Sequence, residues 1–152
     1  MFRILVAFLA ASVIVPSPTM AEEQRWYDYE PATATLKGFL AVKYYYGPPG
    51  FGETPKTDYK VQAWLLLLST PINIRGAPDP DDGGEATNIL QIDLVPPFGK
   101  HEKTVRNDFI RFRGREVIVT GSLYEGRTGW YWVNTAMQVK TISLAPRGND
   151  RD

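Results

Sequence analysis

Alternating apolar and polar residues predict five β-strands between residues 34 and 144 of this 152-residue chain. In the first, Leu36, Leu40 and Val42 share one parity, while lysines take the other. A two-residue repeat is typical of a strand with one buried face. The predicted strands begin near Thr35, Tyr59, Ile89, Glu116 and Trp130 and end near Tyr46, Pro71, Val95, Tyr124 and Leu144. Turn-rich stretches separate them, so the domain is predicted to be mostly β.

One helix is predicted between the third and fourth strands, in the segment from Lys100 to Phe112. Three apolar residues recur there at helical spacing: Val105, Phe109 and Phe112. Gly114 follows as a stop signal. This element order is that of the five-stranded Greek-key barrel called the OB-fold, although an open α+β sandwich has the same order. Gly38 and Gly121 lie inside the first and fourth strands and favour the sharply coiled barrel.

The first residues have the pattern of a secretory signal. Arg3 precedes an unbroken apolar run from Ile4 to Val15, and Thr19 and Ala21 supply small residues before two glutamates. The run is short for a membrane span, which takes about 20 apolar residues; an uncleaved anchor is the alternative. We expect a signal peptide over residues 1–21, an extended lead-in over 22–33, the barrel over 34–144 and a disordered tail over 145–152. The mature protein is expected to be periplasmic or secreted, without a membrane span.

Composition narrows the chemistry of the mature domain. The chain has no cysteine, which excludes thiol catalysis and cysteine metal sites. Its one histidine, His101, stands in a charged run that is typical of a solvated surface. No catalytic serine, phosphate-loop or zinc-helix motif occurs in the sequence. We therefore expect no catalytic residue, no metal and no cofactor, and a protein that is not an enzyme.

Two charged clusters are interpreted as solvated surface. Four acids share a glycine-rich loop: Asp79, Asp81, Asp82 and Glu85. They could wrap a calcium ion, but Gly83 stands where an EF-hand needs an oxygen ligand. The basic stretch from Lys100 to Arg115 contains acids as well, and the formal net charge of the chain is zero. These features favour the polar side of an amphipathic helix over a nucleic-acid site.

Several sequence blocks resemble the bacterial family called domain of unknown function 4431. They are Leu36-Lys37-Gly38-Phe39-Leu40, Gly47-Pro48-Pro49-Gly50-Phe51, Pro71-Ile72, the stretch from Gly114 to Leu123, and Thr128-Gly129. The resemblance spans about residues 34–144 and implies no settled activity. Members of the family often carry histidines around the Thr-Gly pair and a cysteine after Pro-Ile. Trp130-Tyr131-Trp132 and Asn73 stand at these places here, so no metal role carries over.

Two aromatic clusters provide the candidate binding site. The first ends strand one and enters the next loop, and the second flanks the loop between strands four and five. These two loops border the groove in which OB-folds bind oligonucleotides and oligosaccharides. The candidate ligand-binding residues are Tyr45, Tyr46, Phe51, Tyr124, Arg127, Trp130 and Trp132. The alternative is that these rings only close the ends of the barrel.

The sequence thus predicts an exported OB-like binding module that contacts an extended glycan or another exported protein through an aromatic groove, with no catalysis and no nucleic acid. The alternative is a periplasmic inhibitor or immunity-type protein. Such a protein would block an enzyme with one projecting loop, from Gly47 to Asp58. Partner capture beside a glycan array discriminates between these hypotheses.

Overall fold

The computed structural model describes residues 25–126 and 133–146, and within them six strands and one α-helix. The strands are β1 (Arg25–Asp28), β2 (Ala34–Tyr46), β3 (Lys60–Arg75), β4 (Ala86–Val95), β5 (Glu116–Glu125) and β6 (Thr135–Leu144). Helix α1 spans Glu102–Phe112, and a 3-10 helix spans Pro80–Asp82. The predicted signal peptide and most of the predicted tail lie outside the described residues.

Five of the strands close into a barrel. β2 pairs with β3 and β5, β6 pairs with β5 and β4, and β3 pairs with β4 to complete the ring. The β4–β6 pairing is parallel, and the other four are antiparallel. Helix α1 follows the third barrel strand. The predicted mostly-β, OB-like barrel is therefore confirmed, and the open sandwich is not the fold.

The two mid-strand glycines lie where backbones approach closely. A Cβ on Gly38 would stand 2.5 Å from the carbonyl oxygen of Leu67. A Cβ on Gly121 would collide with the carbonyl oxygen of Gln138, at the register shift between β5 and β6. Since any larger residue would push these strands apart, the glycines permit the tight coiling that a small barrel requires.

The prediction that Pro71 ends the second strand is wrong, because β3 continues to Arg75. Pro71 falls between Leu67 and Ile72, where the register with β4 shifts. A proline lacks the N–H that a regular ladder would use, and an irregularity of this kind tolerates its loss.

The extension of β3 gives the N-terminal segment a partner. β1 pairs with it in parallel, with Arg25 opposite Ile72. Arg75 of β3 contacts two side chains of β1. It forms an ion pair of 3.1 Å with Asp28, the last residue of β1, and its guanidinium lies 5.8 Å from the Trp26 ring. The sequence of this lead-in has no alternating pattern, so its pairing as a strand was not predicted.

The inward parity of the barrel strands and one side of α1 form a single core. Phe109 and Val117 are fully buried, as predicted, and the Trp64 ring lies 5.4 Å from that of Phe109. The turn after the helix is tied to β2, since the Leu40 N–H donates to Arg115 and the Leu40 carbonyl accepts from Gly114. The helix is therefore fixed against the barrel at the point where β2 and β5 separate.

Candidate functional site

A two-stranded ribbon projects beyond the closed part of the barrel. The β2–β5 pairing ends at Phe39, and the β3–β4 pairing begins at Leu65. Residues 42–46 of β2 and 60–64 of β3 therefore pair with each other and, among the described residues, with no further strand. We call these residues the ribbon and the loop of residues 47–59 that joins them the tip loop.

The tip loop is organised around one carboxylate, that of Asp58. Its Oδ1 accepts from the Gly50 N–H and the Thr54 hydroxyl, both at 2.8 Å. Its Oδ2 accepts from the Gly52 N–H at 2.8 Å and the Thr54 N–H at 3.2 Å. Burial alone raises the pKa of the Asp58 carboxyl, but these hydrogen bonds outweigh burial and hold the pKa below its ordinary value. The charged carboxylate thus fixes the loop in one shape.

Phe51 occupies a backbone conformation that non-glycine residues avoid. Its φ is 48°, in the left-handed region, and Gly52 after it has a φ of 104°. Asp58 binds the N–H groups of Gly50 and Gly52 on either side of Phe51, which holds this conformation in place. The Phe51 ring is 58% exposed and so contributes little to the core. An unfavourable backbone that presents an apolar ring to solvent is typical of functional positions.

Three tyrosines of the ribbon and tip loop add further exposed aromatic surface. Tyr44 is 58% exposed, Tyr46 38% and Tyr59 73%. Gly52 lies against Tyr46, since a Cβ there would stand 3.8 Å from its ring. An open depression of about 350 Å³ lies among Tyr44, Tyr45, Tyr46 and Lys60. Exposed apolar groups that cluster in this way mark interaction surfaces.

The structure brings together three of the predicted site residues, Tyr45, Tyr46 and Phe51, at the ribbon and tip loop. Tyr45 is half-buried, and the Lys43 ammonium lies 4.9 Å from its ring centroid. The candidates Arg127, Trp130 and Trp132 lie outside the described residues.

Tyr124, the remaining candidate, is half-buried at the other end of β2. It follows Gly121, the partner of Ala34, whereas Tyr46 is the last residue of β2. The thirteen residues of β2 extend over roughly 40 Å at about 3.3 Å per residue. The two loops therefore leave the barrel at opposite ends of β2, and a ligand that touched both would have to follow the barrel wall.

The face that binds ligands in OB-folds, on the second and third barrel strands, corresponds here to the outer face of β3 and β4. Ala63, Leu65 and Asp93 alternate with core residues and so point outward, yet each is at most 5% exposed. This part of the wall is closed to a ligand. Among the described residues, exposed aromatic side chains cluster at the ribbon and tip loop instead.

The acidic loop and the histidine, which the sequence also singled out, belong to other elements of the fold. Asp79 caps the 3-10 helix by accepting the Asp81 N–H at 3.0 Å. His101 is exposed at the start of α1. No three His, Asp or Glu side chains of residues 25–126 and 133–146 are grouped closely enough to hold a metal ion. Within the same residues, no helix has the length and apolar character that a membrane crossing requires.

The chain matches no protein-family model and no curated protein. The resemblance to domain of unknown function 4431 therefore stays a prediction.

Three residues of the candidate site were not among the residues predicted to bind a ligand. Asp58 was identified only as the end of a loop and Tyr59 only as a strand residue, while Tyr44 was counted in the first aromatic cluster but not as a ligand-binding residue. The sequence did contain a signal for the role of Asp58, because an aspartate that follows a loop rich in glycine and threonine is suited to accept hydrogen bonds from the N–H groups of that loop. The exposure of Tyr44 had no such signal, since its parity is that of the buried Leu36 and Leu40.

Proposed function

We propose that this protein is an exported binding module that attaches to another protein through its ribbon and tip loop, without catalysis. One observation carries the proposal: Phe51 is exposed on an unfavourable backbone that Asp58 holds in place. Aromatic residues dominate the binding energy of protein interfaces. A loop that is already ordered loses little conformational entropy when it binds.

The exposed aromatic side chains of the tip loop favour a protein partner, since aromatic residues are enriched where proteins bind one another. Phe51 and Tyr59 are the most exposed of them and are suited to enter a cleft on the partner. If that partner is an enzyme and the cleft is its active site, the module acts as an inhibitor.

Glycan binding is the second candidate, and the depression among Tyr44, Tyr46 and Lys60 supports it. Flat tyrosine rings can stack on sugar rings, and the Lys60 ammonium can donate to hydroxyl groups. This mode uses the side of the ribbon and does not require Phe51.

Capture of partners from periplasmic extract, beside a glycan array, tests both candidates. Phe51→Ala is expected to remove specific protein partners, because truncation of a central aromatic residue typically weakens an interface by about 2 kcal/mol or more. Phe98→Ala is the matched control, since Phe98 is 85% exposed in the loop before α1. Partners that survive Phe51→Ala and Tyr59→Ala as well as the control would contradict the protein-binding proposal. Array binding that Tyr44→Ala removes and Phe51→Ala leaves unchanged would favour the glycan.

A further inference from the structure

The ribbon has an open main-chain edge on its β2 side. The backbone N–H and C=O of Leu40 point away from β3, since they bond to Arg115 and Gly114 at 2.9 Å each. Backbone direction alternates along a strand, so Val42, Tyr44 and Tyr46 point their N–H and C=O groups the same way. No strand within residues 25–126 and 133–146 pairs with this edge beyond Leu40.

The backbone N–H and C=O groups of the intervening residues already bond to β3. Lys43 and Tyr45 lie opposite Ala63 and Val61 of β3, and the ladder continues with the Gly47 N–H donating to the Tyr59 carbonyl at 2.7 Å. A second strand could therefore bond to the Val42–Tyr46 edge without displacing any bond of the ribbon. Exposed edges of this kind recruit extended peptides, which add to the sheet as a further strand.

The side chains along the edge indicate what such a peptide carries. Tyr44 and Tyr46 stand on one face and offer aromatic surface to cross-strand neighbours. Lys43 is exposed on the other face, and Lys60 lies opposite Tyr46 on β3. No described acidic group lies within ion-pair distance of either lysine. The edge strand therefore presents one positive charge, at Lys43, and Lys60 adds a second on the neighbouring strand; an acidic strand would complement both.

We propose that an acidic, extended segment of a partner protein adds to β2 as a strand along residues 42–46. This inference rests on the proposed function, of which it specifies the binding mode. The β2–β5 ladder ends at Phe39, and Leu40 bonds to Gly114 and Arg115 just before β5, so the added strand would continue a row of main-chain bonds that β2 already makes on this side. A lysine on an edge strand also disfavours self-association, which argues against a second copy as the occupant.

Amide hydrogen exchange with a short peptide of alternating valine and glutamate is the first test. On binding, the amides of Tyr44 and Tyr46 are expected to become protected, while those of Lys43 and Tyr45 change little because they already bond to β3. A peptide of alternating valine and lysine is the control and should bind more weakly. The absence of binding by the acidic peptide, or protection that does not alternate, would overturn the proposal. Protection that appears without peptide and rises with protein concentration would assign the edge to a second copy and overturn it too.

A pair of substitutions at one position separates strand addition from side-chain docking. Tyr44→Ala removes the ring, whereas Tyr44→Pro removes the ring and the outward N–H, and β3 does not use that N–H. Tyr44→Pro is expected to weaken peptide binding about 3- to 10-fold beyond Tyr44→Ala, the loss expected for one main-chain hydrogen bond. Circular dichroism of both variants verifies the fold. Equal losses would overturn strand addition and leave the proposed function standing, since the proposed function is contradicted only when captured partners survive both Phe51→Ala and Tyr59→Ala.

Discussion

Two strands, β2 and β3, run through both the barrel and the ribbon, yet the two regions bury their side chains differently. Leu36 and Leu40 of β2 are buried, while Tyr44 and Tyr46, on the same parity, are exposed. The difference lies in what covers that face: the opposite wall and α1 cover it in the barrel and at the base of the ribbon, where Trp64 packs against Phe109, whereas Tyr44 and Tyr46 lie beyond this cover. Alternation therefore identifies the two faces of a strand but does not tell which stretch of a face has a neighbour.

The largest expected effect belongs to the barrel. Phe109→Ala removes a fully buried ring that contacts Trp64, and such truncations cost about 3–5 kcal/mol. Urea unfolding of Phe109→Ala measures the loss. Ile110→Ala is the matched control, because Ile110 is 67% exposed on the same helix, and exposed substitutions usually stay within about 0.5 kcal/mol. Equal stability of the two variants would mean that α1 does not stabilise the barrel.

The next effect tests the coiling of the barrel. Gly121→Ala would force a methyl group onto the Gln138 carbonyl and within 2.8 Å of the Met137 side chain. Overpacking of this kind typically costs about 1–3 kcal/mol. Gly84→Ala is the control, since a Cβ there meets nothing within 4 Å. Thermal melts of both variants decide the matter, and a Gly121→Ala protein as stable as the control would show that the strands can separate at the register shift.

These barrel features were the ones that the sequence could predict. Helical spacing identified Phe109, alternation identified Val117, and the two mid-strand glycines indicated a coiled barrel. Each prediction depends on short-range periodicity that every turn or pleat repeats. The continuation of β3 through Pro71 escaped prediction because a register shift depends on the partner strand rather than on local sequence.

The ribbon site was predictable only in part. Tyr45, Tyr46 and Phe51 were found because aromatic residues followed a strand into a glycine-rich loop. The role of Asp58 depends on four hydrogen bonds that close a loop, which no periodic pattern encodes. The expected convergence of two loops stays a prediction, because residues 127–132 lie outside the described residues. Among the described candidates, β2 separates Tyr124 near its first residue from Tyr46 at its last.

A smaller, local effect is expected at the tip loop. Asp58→Asn replaces one accepting oxygen with a donating NH₂ group. The side chain then has a single oxygen and can no longer accept from the N–H groups of Gly50, Gly52 and Thr54 together. Amide exchange at Gly50 and Gly52 should rise toward that of an unstructured peptide, while exchange at Leu40 in the barrel stays slow. Glu53→Gln, an exposed change in the same loop, should leave these rates unaltered. Retained protection of Gly50 and Gly52 in Asp58→Asn would show that the backbone turns alone define the loop.

The mildest perturbation is acid, and it separates the two regions without a mutation. Hydrogen bonds hold the pKa of Asp58 below its ordinary value in the folded loop, despite burial that raises it. A carboxyl whose folded pKa lies below its unfolded pKa stabilises the fold above the unfolded pKa, and this stabilisation is lost as the pH falls through the folded pKa. The amide resonances of Gly50 and Gly52 should therefore stay constant from neutral pH down to the usual carboxyl range, about pH 4, and move only below it.

In Asp58→Asn these amides should no longer report this titration, and the Leu40 amide serves as the reference for any unfolding of the barrel. Movement of the glycine amides above the usual carboxyl range, with Leu40 unchanged, would mean that burial outweighs the hydrogen bonds and that the loop is held less firmly than its geometry indicates.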